Sequence, residues 1–185
     1  MLLYHVGFSE IQHPDVHFGR SNADFGPGFY TSPDKSFSEK WGKKRRGEKT
    51  ILNTYELDEA NLKIKRFERD KEWFDYIFSN RNFKEDKFKD YDVIIGPIAN
   101  DTIYDTWGVL TSGLVNSEKA LEVLQAGPCY EQVNIKSEKA ASNLKFLSSL
   151  IIPEDALIQY RSLVREEEIK YQDILVTILD DVIDK

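Results

Sequence analysis

The chain has 185 residues, 41% of them hydrophobic and 31% charged, which predicts one soluble globular domain with a substantial core. Its net charge of −7 argues against a protein that binds nucleic acid over its whole surface, and we interpret the basic run at 43–46 as a solvated loop or helix end. Cys129 is the single cysteine, which excludes an internal disulfide and a cysteine-based zinc site.

The first 67 residues predict short elements around a long loop. In chain order these are a strand at 2–6, a loop at 8–29, a helix at about 33–42, and strands at 51–57 and 61–67. Ser32 and Pro33 mark the start of the helix, because serine is a favoured N-cap and proline is favoured at the first helical position. Ile51, Tyr55 and Leu57 are expected on one face of the strand that follows.

The rest of the chain mixes helices and strands without regular alternation, which predicts an α+β fold. In chain order the elements are a helix at 70–81, a strand at 91–99, a helix with Ser117 as its N-cap and Gly127 past its C-terminus, strands at 130–135 and 144–152, and a helical segment from 153 onward. The first of these helices carries an apolar stripe made of Trp73, Phe74, Ile77 and Phe78. The strand at 91–99 is apolar and β-branched, so we expect it to be buried on both faces. Residues 166–168, three glutamates in the last segment, are expected to face water.

Several common catalytic motifs are absent from the sequence. Neither a dinucleotide-binding G-x-G-x-x-G pattern nor a phosphate-binding G-x-x-x-x-G-K-[ST] pattern is present. The three histidines are His5, His13 and His17. Pro14 interrupts the spacing between the last two, so we do not expect a metal site there.

One stretch, ADFGPGFYTSPDKSFSEKW at 23–41, combines a turn cleared of side chains with two aromatic residues. Gly26 and Gly28 allow backbone to approach a neighbour closely just before Tyr30, and Trp41 follows at the end of the predicted helix. Together with LYHVGF near the N-terminus, YDVIIGPIAND and EQVNIKSEKAASNLKF, in that order over about residues 2–147, this stretch resembles a bacterial family of small ADP-ribosyltransferase-like proteins. The resemblance is to the diphtheria toxin/poly-ADP-ribose polymerase branch, which has a His-Tyr-[Glu/Gln] site.

The resemblance implies a split β-sandwich of two small twisted sheets with flanking short helices and a C-terminal helix. NAD would lie in the cleft between the sheets. The implied organisation is an ADP-ribosyltransferase-like domain at 1–152 and a helical extension at 153–185 packed on the same domain.

The resemblance also implies a role for individual residues at an NAD site without metal. His5 would bond the adenosine-side ribose, and Tyr30 and Trp41 would hold the flat, cationic nicotinamide between two aromatic faces. The backbone at Val6, where the family usually has glycine, and the Ser38 side chain would bond the carboxamide. The remaining NAD-binding residues are Gly7, Arg20, Gly28 and Thr31, although for Arg20 an anchoring role in its loop is equally open.

Gln132 would be the third member of the catalytic set with His5 and Tyr30. Strand alternation places it on the same face as Tyr130 and Asn134, with Val133 and Ile135 on the other face. Glutamine has no titratable proton and cannot act as a general base.

The acceptor is therefore expected to be nucleophilic already, or another group supplies the base. Asp101 is favoured for that role over Glu131, which alternation places on the opposite face of the strand. A helix cap at Asn100-Asp101 is the alternative reading of that pair.

The expected function is an NAD-dependent mono-ADP-ribosyltransferase that cleaves the nicotinamide–ribose bond. The acceptor, protein or nucleic acid, is not identified by the sequence. Such a protein would act as a bacterial effector or as the toxin of a toxin–antitoxin pair, with an antitoxin protein as partner. One alternative is a weak or inactive NAD- or ADP-ribose-binding module. Another is a protein-interaction module that uses the apolar stripe at 174–182.

The start of the chain does not resemble a signal peptide, and no apolar run approaches the roughly 20 residues that span a bilayer. We therefore expect a cytoplasmic protein with no membrane partner, and signal-independent secretion remains open.

Overall fold

The computed structural model describes residues 1–99 and 117–183. Within these ranges the strands are β1 (Leu2–Gly7), β2 (Phe29–Thr31), β3 (Ile51–Leu57), β4 (Ile64–Arg66), β5 (Val93–Pro97), β6 (Glu131–Ile135) and β7 (Leu144–Ile151). The helices are α1 (Lys35–Lys40), α2 (Lys71–Arg81), α3 (Ser117–Gln125), α4 (Glu138–Ser142) and α5 (Glu154–Ile183). The expected α+β class is confirmed.

The described strands form two small sheets that meet at one point. The first has the order β1-β3-β7 and is antiparallel, and the second has the order β2-β6-β5-β4 with only β4 and β5 parallel. Tyr4 and Ser32 join them, because each backbone N–H donates to the other residue's carbonyl oxygen, at 2.8 and 2.9 Å. Beyond this bridge β1 and β2 separate, and a cavity opens between them.

Strand β5 lies between two hydrophobic clusters, which confirms its predicted burial on both faces. Val93 and Ile95 face a cluster shared by the two sheets, together with Val133 and Ile135 of β6. Ile94 faces the other way, into an aromatic cluster covered by α2.

The buried face of α2 differs from the predicted stripe. Trp73 and Ile77 are buried as expected, but Tyr76 takes the place of Phe78, which is 48% exposed. The Tyr76 hydroxyl donates to Asp86 Oδ1 at 2.9 Å, and a tyrosine with such a partner can be buried as completely as a phenylalanine.

Helix α1 begins later than predicted, with Asp34 and not Ser32 as its N-cap. The Asp34 carboxylate accepts from the Phe37 N–H at 3.0 Å. Ser32 is held by the bridge between the sheets, and its hydroxyl donates to the Glu131 carbonyl at 2.8 Å. The helix therefore starts at Lys35.

Helix α5 is continuous and packs back onto the domain. Its buried face is formed by Leu157, Tyr171, Leu175 and Ile178. The expectation that the glutamates at 166–168 all face water is wrong for Glu167, which binds Lys40 of α1 at 2.8 Å and Tyr130 at 3.0 Å. None of the helices in the described ranges combines the length and apolarity that a membrane crossing requires.

Candidate functional site

A cavity of about 270 Å³ lies where the two sheets separate. Eight of the ten residues assigned to the site from the sequence line it: His5, Val6, Arg20, Tyr30, Thr31, Ser38, Trp41 and Gln132. They come from β1, the loop before β2, β2, the end of α1 and β6, so residues from opposite ends of the domain sequence, such as His5 and Gln132, meet in one cavity. The other lining residues are Tyr4, Ala23, Asp24, Ser32, Phe37 and Ile98.

The His5 imidazole is fixed in orientation and in tautomer. Its Nδ1 lies 2.8 Å from the Tyr30 carbonyl oxygen, and because that oxygen can only accept, Nδ1 carries the proton. Burial lowers the pKa of His5 below its ordinary value of 6.5, so the ring is neutral near pH 7. The unprotonated Nε2 is left as a hydrogen-bond acceptor for a ligand hydroxyl.

Tyr30 presents its ring to the cavity, while its hydroxyl is bound in the preceding turn. The hydroxyl donates to the Gly26 carbonyl at 2.7 Å and accepts from the Phe25 N–H at 2.9 Å. Burial raises the pKa of Tyr30 well above its ordinary value of 10, and the Asp24 carboxylate acts in the same direction. The phenol is therefore protonated and positions the ring rather than exchanging a proton.

Gln132 is buried at the floor of the cavity, and its amide orientation is set by two acceptors. Its Nε2 lies 3.3 Å from Asp24 Oδ2 and 3.4 Å from the Pro97 carbonyl oxygen. Both partners can only accept, so the amide oxygen is the atom available to accept from a ligand. Asp24 is in turn bound by Arg81, with both side chains under 10% exposed and a contact of 2.7 Å.

Helix α1 and its C-cap contribute Phe37, Ser38 and Trp41 to the lining of the cavity. Phe37, which the sequence interpretation did not assign to the site, stacks on Tyr130 with ring centroids 4.4 Å apart and lies 5.6 Å from the Trp41 ring. The Ser38 hydroxyl donates to the Asp34 carbonyl at 3.0 Å, so its lone pairs remain available to accept from a ligand amide. The position of Phe37 one turn before Trp41 was the signal for its role, because residues four apart share a helix face.

The two predicted glycines outside the lining act on neighbouring residues. A Cβ on Gly7 would lie 3.3 Å from His5 Nε2, so glycine keeps space beside the imidazole. Gly28 has a φ of +152°, and a Cβ there would lie 2.0 Å from Asn134 Oδ1. The close approach that Gly28 permits in this structure is to β6, and Gly28 is not among the residues that line the cavity.

A buried polar cluster that sequence reasoning missed holds the turn before Tyr30. The Phe25 carbonyl accepts from Asn134 Nδ2 and from Lys136 Nζ, each at 3.0 Å. Lys136 also forms an ion pair with Asp86, with side chains 5% and 17% exposed, and Asp86 accepts from the Tyr76 hydroxyl. These residues lie far apart in sequence and have no local pattern that marks them.

The charges at the cavity are unevenly distributed. Asp24 is the single carboxylate among the described lining residues, and Arg81 balances it. Arg20 is exposed at the rim, and no carboxylate of the described residues lies within ion-pair distance of it. Alternation predicts Glu131 on the face of β6 opposite Gln132, and its side chain at the start of the strand is exposed. Asn100 and Asp101 lie outside the described residues. In the described ranges, no group of three or more His, Cys, Asp or Glu side chains is arranged to hold a metal ion.

The protein is of the α+β class, and two small sheets meet at a cleft that is lined by aromatic and polar side chains. Residues 1–146 match the model of a family described as Protein of unknown function (DUF3990), and the chain therefore belongs to that family. The match ends within β7 and does not include α5. No curated protein matches the chain.

Proposed function

We propose that this protein is an NAD-dependent mono-ADP-ribosyltransferase. The observation that carries the proposal is the convergence of His5, Tyr30 and Gln132, from three different strands, on one cavity that Trp41 also lines. The resemblance of the sequence implies independently that these residues bind NAD.

Each described group at the cavity has a use in binding NAD. The rings of Tyr30 and Trp41 suit a flat cation, through stacking and cation–π attraction. His5 Nε2 is an acceptor for a ribose hydroxyl, and Ser38 Oγ is an acceptor for the carboxamide N–H. Arg20 at the rim suits the diphosphate, because a guanidinium binds phosphate oxygens in a bidentate manner.

The reaction breaks the bond between the nicotinamide nitrogen and ribose C1. The bonding electron pair leaves with nicotinamide, which becomes neutral, and the ribose passes through an oxocarbenium-like transition state, as in glycoside cleavage. The acceptor then forms the new bond to C1 and releases its proton. The Gln132 amide oxygen can accept from a ribose hydroxyl and hold the sugar in the reactive orientation.

The described part of the cavity contains no carboxylate placed to act as a base, because Asp24 is bound by both Arg81 and Gln132. This favours an acceptor that is nucleophilic without deprotonation, such as a ring nitrogen, an amide or a guanidinium. The same observation supports a second candidate function, a module that binds NAD or an ADP-ribose group without turnover.

We propose a cytoplasmic effector, or the toxin of a toxin–antitoxin pair, as the biological setting. Cys129 is exposed and unpaired, which suits a reducing compartment. An antitoxin that blocked the cavity would have to cover Trp41 and Arg20, because both residues line the cavity and Arg20 is exposed to solvent.

Calorimetric titration with NAD⁺, combined with a nicotinamide-release assay, distinguishes the two candidates. The transferase is expected to bind NAD⁺ and release nicotinamide, and both signals should be lost in Trp41→Ala. Tyr91→Ala, a half-exposed aromatic outside the cavity, is the matched control and should retain both. Binding without release, in buffer and in bacterial lysate, would assign the protein to the binding module.

A further inference from the structure

A second, smaller cavity of about 120 Å³ adjoins the first. The two share Val6 and Trp41, and the other walls of the smaller one are Gly7, Phe8 and Lys43. Trp41 therefore separates the proposed nicotinamide site from a neighbouring site with one aromatic ring and one cation of its own.

The loop that begins at Lys43 concentrates positive charge beside this second cavity. Five of its residues are basic and all are exposed: Lys43, Lys44, Arg45, Arg46 and Lys49. Lys44 pairs with Glu154 at 2.6 Å, and Arg45 pairs with Glu48 at 3.6 Å. Among the described residues, the other three have no acidic partner, although the chain carries a net charge of −7.

An aromatic residue that follows β1, Phe8, lies against this basic loop. The Arg45 guanidinium lies 4.4 Å from the centroid of the Phe8 ring, so the cation covers one face of the aromatic wall of the second cavity. Stacked aromatic and guanidinium planes beside a track of cations are the features with which proteins bind single-stranded nucleic acid.

We propose that the second cavity and the basic loop bind a single-stranded nucleic acid, which is the acceptor of ADP-ribose. This inference rests on the proposed function for its chemistry, but the binding itself does not. A base stacks at Phe8 and Trp41, and its neighbouring phosphates lie along Lys43, Arg46 and Lys49. An acidic protein would use the cations but would have no need of the aromatic cavity.

The absence of a placed base among the described lining residues agrees with this acceptor. A nucleobase ring nitrogen or amino group attacks ribose C1 with its own lone pair, the nicotinamide bond breaks, and the electron pair leaves with nicotinamide. The attacking nitrogen then loses its proton to solvent, so one NAD⁺ and one base give one ADP-ribosylated base, nicotinamide and a proton. Gln132 needs only to orient the ribose for this step.

Fluorescence anisotropy with labelled single-stranded DNA and RNA 12-mers, without NAD⁺, tests the binding. The triple variant Lys43→Ala, Arg46→Ala, Lys49→Ala should bind at least tenfold more weakly at low salt, and the salt slope should fall by about 2, since each single-strand phosphate contact contributes about 0.7. The matched control removes three exposed cations elsewhere, by Lys87→Ala, Lys145→Ala and Arg161→Ala, and changes the net charge equally. It should bind within about twofold of the wild type.

The aromatic wall is tested by Phe8→Leu, with Phe83→Leu as its exposed control. We expect roughly tenfold weaker binding for the first, from the loss of base stacking, and no change for the second. Three results would overturn the proposal. They are an equal loss of oligonucleotide affinity in the two triple variants, an affinity for labelled poly-glutamate equal to that for the oligonucleotides, and no binding of either oligonucleotide.

Nicotinamide release by the wild type separates this inference from the proposed function. Release without oligonucleotide binding would refute only the nucleic-acid acceptor. Oligonucleotide binding without any release, with or without the oligonucleotide, would refute the transferase and the acceptor role. Release stimulated by the oligonucleotide, with label from NAD⁺ transferred to it, is the result expected from both.

Discussion

Replacing Asp86 by asparagine removes one charge from the buried cluster that supports the turn before Tyr30, and it leaves the shape of the side chain unchanged. The partner, Lys136, is 5% exposed and donates to the Phe25 carbonyl at 3.0 Å. Removing one member of a buried ion pair costs about 3–5 kcal/mol, because the other charge is left without compensation. With roughly 2–4 °C per kcal/mol for a chain of this size, we expect the melting temperature to fall by about 10 °C.

The matched control is Asp75→Asn, the same chemical change in the exposed pair of Lys71 and Asp75. That pair is 2.8 Å long, but its side chains are 75% and 48% exposed, so its loss should cost less than about 1 kcal/mol. Urea unfolding at pH 7 measures both free energies. A second variant, Asp86→Asn with Lys136→Met, should recover most of the loss because it removes the uncompensated charge. A loss below about 1 kcal/mol for Asp86→Asn would refute the reasoning.

Three further predictions concern the cavity and its supports. Gly28→Ala should lose about 3 kcal/mol or more in urea unfolding, since its Cβ would meet Asn134 Oδ1 at 2.0 Å at a φ of +152°; a loss below 1 kcal/mol would contradict the packing described. Burial lowers the pKa of His5 from 6.5, so its contribution to stability is complete above about pH 6.5 and is lost as the pH falls through the folded-state pKa. The urea midpoint of the wild type should fall as the pH is lowered from 7.5 to 5.5, and His5→Gln should make this fall smaller. An unchanged dependence of the midpoint on pH would show that the fall has another origin. Glu167→Gln weakens the 2.8 Å contact between Glu167 and Lys40, which holds α1 in place. Because α1 carries part of the cavity wall, the KM for NAD⁺ should rise severalfold at unchanged kcat. A fall in kcat alone would contradict a positioning role.

The fold class and most element positions could be predicted from local patterns. Strand β5 shows why: its β-branched run of Val93, Ile94 and Ile95 fits a strand that is covered on both sides, and all five residues of the strand are buried. The start of α1 was misplaced because Ser32 has the chemistry of an N-cap but is held by a bridge to Tyr4. The buried face of α2 was misplaced because the partner of Tyr76 is Asp86, which hydrophobic periodicity does not take into account.

The principal candidate residues were predicted by motif, but their supports were not. Asp24 contacts Gln132, and Arg81 forms an ion pair with Asp24. The burial of each of these two charged residues depends on the other. Charged side chains are seldom buried unless they are paired, and the sequence has no local signal that pairs these two residues. Glu167 was assigned to water for the same reason, although its partner lies in α1. Such pairs join residues tens of positions apart and are visible only in the folded chain.

The central claim is that the cavity between the two sheets cleaves NAD⁺, and nicotinamide release by purified protein tests it most directly. The comparison is between the wild type, Tyr30→Ala and Gln132→Ala, with and without bacterial lysate, after unfolding curves have shown that each variant is folded. We predict release by the wild type, stimulation by lysate, and a loss of at least a hundredfold in both variants, about 2.7 kcal/mol of transition-state stabilisation. Undiminished release from folded Tyr30→Ala and Gln132→Ala, or no release from the wild type under any condition, would contradict the account.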